Sequence, residues 1–153
     1  MIYNRTQADV DTALRIRREK VQKFQALTSD DVEALERGTI TINTLNRVEQ
    51  KQAELKNLIN GMGYWETPVA NKEWGYNDVF DESEFSRIVD NLNWLRNAFF
   101  VYKDTPTTPP VSYHYNDINA LERILHDLDV MISDVRSHYK RCGETRCGGI
   151  TND

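Results

Sequence analysis

No stretch of this chain approaches the roughly 20 consecutive apolar residues that cross a bilayer, so the sequence predicts no membrane-spanning helix and no membrane partner. Cysteine is scarce. Cys142 and Cys147 stand close together near the end, and a cytosol would keep them reduced. The start, "MIYNRTQADVD", lacks the charged-then-apolar pattern of a secretory leader, which predicts synthesis and retention in a cytoplasm. There is no glycine-rich phosphate loop and no His-Glu-x-x-His, nor a Gly-x-Ser-x-Gly nucleophile turn, so the sequence assigns no catalytic and no cofactor-binding residues. An excess of positive charge is also missing. The chain carries 19 basic and 24 acidic residues, a net charge of −5, the reverse of a general nucleic-acid binder. The basic run "RIRREK" (Arg15 to Lys20) leaves a DNA-binding face as a minor alternative.

What is present is a modest core in a chain of single-domain length. The apolar share is 39%, and aromatic residues make up 10%, too much for a wholly disordered chain. Thr6 with Asp9 three residues on reads as a helix start, followed by Val10, Ala13, Leu14, Val21 and Phe24 as an apolar stripe. Arg15, Arg17, Arg18, Glu19 and Lys20 interrupt that stripe, so the middle of this helix is expected to face solvent or an acidic partner. A second short helix fits "TSDDVEALERG", with Ser29 as cap and Gly38 as stop.

Three related stretches follow: "LNRVEQKQAEL" from Leu45, "FSRIVDNLNWL" from Phe85 and "LERILHDLDVM" from Leu121. Their apolar residues include Leu45, Val48, Leu55 and Ile59 in the first and Phe85, Ile88, Leu92, Leu95 and Phe99 in the second. The third offers Leu121, Ile124, Leu128, Met131 and Val135. This alternation of three and four places one side of each helix against a partner. An arginine recurs in each copy, at Arg47, Arg87 and Arg123. The spacing predicts a repeated helix-plus-connector unit, with the arginines pairing to a carboxylate, a carbonyl row or an adjacent chain. Asp81, with Glu84 three residues on, and Asp117 read as helix starts.

The connectors are long for a helical bundle. "GMGYWETPVANKEWGYNDVF" holds Trp65 and Trp74, and "YKDTPTTPPVSYHYNDIN" holds Pro106, Pro109 and Pro110, then Tyr113 and Tyr115. Proline excludes a helix or strand interior there. Tyrosine and tryptophan in extended segments point to docking, on the same subunit or on a neighbour. Each repeat offers about five large apolar side chains at roughly 1.5–3 kcal/mol each. Ordering its backbone costs about 1–2 kcal/mol per residue. A single copy therefore lies against its sisters, against other chains, or both.

The expectation is an all-α, elongated protein of about five helices, three of them related. It forms one helical unit: N-terminal helices in 1–38, three helix-plus-connector repeats in 39–137 and a polar tail in 138–153. Trp65, Trp74, Tyr113, Tyr115, Arg47, Arg87 and Arg123 are its candidate interface residues. The tail "HYKRCGETRCGG" has a metal-like spacing of His138, Cys142 and Cys147, with His126 as a fourth donor. A second cysteine pair is missing, so no metal site is assigned; a small disulfide loop and a reduced, glycine-rich tail both stay open.

"NRTQADVD", the Thr41–Glu49 segment "TINTLNRVE" and its echoes around Arg87 and Arg123 resemble small helical tail-associated proteins encoded by phages and prophages of Gram-positive bacteria. The second copy, around Arg87, departs from the pattern, with Ser86 in place of the asparagine and Val89 in place of the glutamate. The resemblance implies a non-enzymatic virion component of the tail tip, baseplate or fibre attachment, assembled in the bacterial host cytoplasm. It implies contacts with copies of itself and with other tail, baseplate or fibre proteins. The alternative is a module that binds a host-surface carbohydrate or receptor through its aromatic connectors.

Overall fold

The computed structural model describes residues 1–63, 68–109 and 111–138. Among them the chain forms five α-helices and one short 3-10 turn, with no strand. The helices are α1 (Gln7–Glu19), α2 (Ser29–Gly38), α3 (Ile42–Gly61), α4 (Glu82–Ala98) and α5 (Tyr115–His138), and the 3-10 turn is Val21–Lys23. The expected all-α architecture is present.

The three related stretches are α3, α4 and α5, and they pack on one another. Leu45, Val48, Leu55 and Ile59 of α3 meet Phe85, Ile88, Leu92 and Leu95 of α4 in one buried cluster. Leu121, Ile124, Leu125, Leu128 and Ile132 of α5 complete it. Fully burying a side chain of this kind contributes about 1.5–3 kcal/mol, so the repeats supply each other's cover. Helix starts follow the capping rule. Thr41 accepts from Thr44 N–H, and Asp81 accepts from Glu84 N–H at 3.0 Å. Two expected caps are corrected. Thr28, one residue before Ser29, caps α2. Helix α5 begins at Tyr115, so Asp117 lies inside its first turn, where its charge suits the positive helix end.

Helices α1 and α2 form an antiparallel hairpin beside this bundle. Two capping boxes open the helices, Thr6 with Asp9 and Thr28 with Asp31. Each box carboxylate also reaches the other helix. Asp9 accepts from Arg37 in the last turn of α2, and Asp31 accepts from Lys20 at the end of α1. The Arg37 hydrogen bond, followed by the Thr6 backbone N–H, holds the Asp9 carboxyl below its ordinary value. The Lys20 hydrogen bond, then the Thr28 backbone N–H, lowers that of Asp31 to about 2. Gly38 does more than end α2: a Cβ there would stand 2.2 Å from the Asp9 carbonyl oxygen and 2.4 Å from Ala13 Cβ. The two helices touch at a point where only glycine fits.

Candidate interaction surface

The first long connector and the N-terminal arm lie along the bundle as straps, and asparagine side chains fasten them. Asn46 of α3 receives the Trp74 N–H at 2.7 Å and donates to the Trp74 carbonyl at 3.1 Å. Asn91 of α4 receives the Ala70 N–H at 3.2 Å and donates to its carbonyl at 2.8 Å. Asn119 of α5 does the same for Arg5 in the N-terminal arm, at 3.0 and 2.9 Å. An extended backbone cannot satisfy its own polar groups, and an asparagine amide offers one donor and one acceptor in the required pairing. Gln52, fully buried, donates to the Ile88 carbonyl and accepts from Asn91.

Two buried glutamates anchor the polar interior. Glu49 accepts from Trp74 Nε1 at 3.2 Å, from Lys72 N–H at 3.2 Å and from Arg87. Glu122 accepts from Arg5 at 3.1 Å, from Arg47 at 2.9 Å and from Ile2 N–H. Buried carboxylates persist only when paired and hydrogen-bonded in this way. The third arginine, Arg123, donates to Asp127 at 2.7 Å and faces Asp104 at 3.7 Å. Burial raises the Asp127 carboxyl, but hydrogen bonds from Thr105, Arg123 and His126 outweigh it and hold the pKa below its ordinary value.

These contacts locate the candidate interface residues. Arg47 and Arg87 are cross-helix struts, from α3 to α5 and from α4 to α3, and Arg123 ties α5 to the second connector. Trp74 is corrected: it is 4% exposed, packed edge-on against Phe80 with the Lys72 ammonium 4.2 Å from its ring centroid. Its ring is taken up by its own chain, so it offers a partner no anchor. Trp65 lies outside the described residues, as do Cys142 and Cys147 of the tail. Tyr113 continues the aromatic row through Phe80 and Phe85 but remains half-exposed. It joins Tyr115 in lining a cleft of about 170 Å³, closed on the other sides by Arg5, Val10, Gly38 and Ile40.

Beyond this cleft the hairpin is thinly covered. Within it only Ala13 and Ile16 are buried apolar side chains. Leu14, Val21, Leu27 and Val32 each keep a large part of their surface in water, and Phe24 is 98% exposed. Phe24 also sits at φ +53°, in the left-handed region, where a bulky residue is strained. None of the sequence-derived site residues marks this face; the apolar positions of the first helix were visible, but not which would be left uncovered. The described residues contain no group of three or more His, Cys, Asp or Glu able to hold a metal ion, and no helix long and apolar enough to cross a membrane. No family model, curated protein or solved structure matches the chain.

Proposed function

We propose that this protein is a non-enzymatic assembly component of a phage or phage-tail-like particle, built into the tail or baseplate in the host cytoplasm. It would join copies of itself and neighbouring tail proteins through its surface helices. The observation that carries this reading is the uncovered apolar face of the α1–α2 hairpin, projecting from a bundle whose own core is filled. Contiguous exposed apolar surface of this kind characterises protein–protein contact sites. The sequence resemblance supplies the particle. Trp74 is not one of the joining elements, because its ring is spent inside the chain, whereas Tyr76 in the same connector is 98% exposed.

A second reading, recognition of a host-surface carbohydrate, draws on the cleft beside Tyr113, His114 and Tyr115, where a sugar ring would find aromatic faces. Electron microscopy and adsorption assays on particles from a strain lacking the reading frame separate the two. Absent or incomplete tails support assembly. Complete particles that fail to adsorb support host recognition, and complete particles that adsorb normally overturn both.

A further inference from the structure

The uncovered hairpin face has a definite charge order. Asp9, Ala13, Ile16 and Lys20 point from α1 toward α2, and Asp31 and Gly38 point back. Leu14 and Val32 each lie one residue further round their helices. Because the helices run antiparallel, an equal rotation in each brings both residues to the same side of the hairpin. Val21, Phe24 and Leu27 follow in the connection at the hairpin's tip, where each is exposed and Phe24 is 98% exposed. The result is an apolar side formed by Leu14 and Val32 with exposed apolar residues at its tip.

The edges of that side differ in sign. On the α1 side, Arg18 at the outer edge and Arg17 nearer the α2 seam are exposed and make no ion pair among the described residues. On the α2 edge, Glu33 and Glu36 likewise make none, Glu36 accepting only the Asn43 amide. Lys20 stands level with Asp31, and Ala13 with Gly38. Arg17 and Arg18 therefore stand level with Glu33, within one turn of Glu36. A surface with cations along one edge and carboxylates along the other complements itself after a half-turn about the hairpin's long axis. Such a rotation lays α1 of one copy on α2 of the next, pairs both charged edges and brings the two Phe24 rings together at the tip.

We propose that the α1–α2 hairpin is a self-association surface whose occupant is the same hairpin of a second copy, forming a two-fold four-helix contact. This rests on the assembly reading above and names its first partner. It also accounts for a phenylalanine held in strained backbone with its ring in water: the ring is placed for a partner, not for its own core.

Native mass spectrometry and sedimentation of the full chain test it through charge exchange. The wild-type chain is expected to be dimeric. R17E/R18E and E33R/E36R each place like charges along both edges, raising the dissociation constant by about tenfold or more. An equimolar mixture of the two variants restores every pair and yields a heterodimer identifiable by its mass. An unchanged far-UV spectrum verifies that each variant is folded, and Val32→Glu, on the same apolar side, disrupts the dimer independently of the edges. A monomeric wild-type chain, reversals that leave the dimer intact, or a mixture that fails to recover each overturn the proposal. Retention of the monomer on phosphatidylserine vesicles, lost in R17E/R18E, assigns the face to an anionic membrane instead. A monomer that still enters particles refutes the self-pairing alone and leaves the assembly reading standing.

Discussion

Asn46 holds both main-chain polar groups of Trp74, 28 residues further along, by hydrogen bonds of 2.7 and 3.1 Å. The amide substitutes for the partner strand that an isolated extended segment lacks, while Glu49 one turn along α3 satisfies the indole N–H. Asn46→Leu leaves two main-chain groups of a buried residue unpaired, at about 1–3 kcal/mol for each group left unsatisfied. Amide exchange at Trp74 is expected to accelerate well beyond that of the α4 core amides; equal acceleration everywhere would show that the clamp is merely part of global stability.

The Glu49–Arg87 pair predicts a strong asymmetry. Arg87→Met leaves the buried Glu49 carboxylate without its guanidinium and is expected to cost about 3–5 kcal/mol in denaturant unfolding. Adding Glu49→Gln to that variant removes the stranded charge, so the double variant is expected to lose less than the sum of the single losses. Strict additivity would refute the coupling.

The hairpin has a pH signature. The Asp31 carboxyl is lowered from 3.8 to about 2 by Lys20 and by the Thr28 backbone, and Asp9 is shifted in the same direction by Arg37 and Thr6. A group whose folded pKa lies below its unfolded value stabilises above the unfolded value and loses that contribution as pH falls through the folded one. Hairpin protection in hydrogen exchange is therefore expected to decline between about pH 4 and pH 2. Asp31→Asn removes most of that dependence, and a decline of the same size in this variant would exclude Asp31 as its source.

Gly38→Ala inserts a methyl group where the Asp9 carbonyl and Ala13 already stand. Forced overpacking costs about 1–3 kcal/mol, and the loss is expected to be confined to α1 and α2, read as increased exchange there with the bundle amides unchanged. Uniform loss across all five helices would show that the hairpin and the bundle unfold as one unit.

Phe24→Gly separates the hairpin's fold from its contacts. Glycine accepts φ +53° without the steric penalty of a side chain, so thermal unfolding of the dilute protein is expected to be unchanged or raised by up to about 1 kcal/mol. Association measured at high concentration is expected to weaken. A variant that is less stable and equally associated would mark the ring as a structural element of the monomer.

The bundle was legible because core positions repeat at helical spacing: Phe85, Ile88, Leu92 and Leu95 are all buried, as their rhythm implies. The recurring arginines pointed to pairing, and each is paired, but their partners were not legible. Glu49 and Glu122 sit at core spacing among apolar residues, an anomaly that could have marked them as buried ligands of arginine. Trp74 illustrates the limit. An aromatic ring in an extended segment has the same chemistry whether it docks on its own helices or on a neighbour's, and only the position of Asn46 and Glu49 across the fold decides. The asparagine clamps were invisible for a related reason, since their pairing joins segments from 21 to 114 residues apart.

The straps impose an order on how the chain reaches its native state. Ala70 is clamped from α4 and Trp74 from α3, so the first strap has both its moorings only after those two helices have met. Arg5 is moored to Asn119 on α5, 114 residues further along, so the N-terminal arm gains its clamp only once the chain as far as α5 has been made.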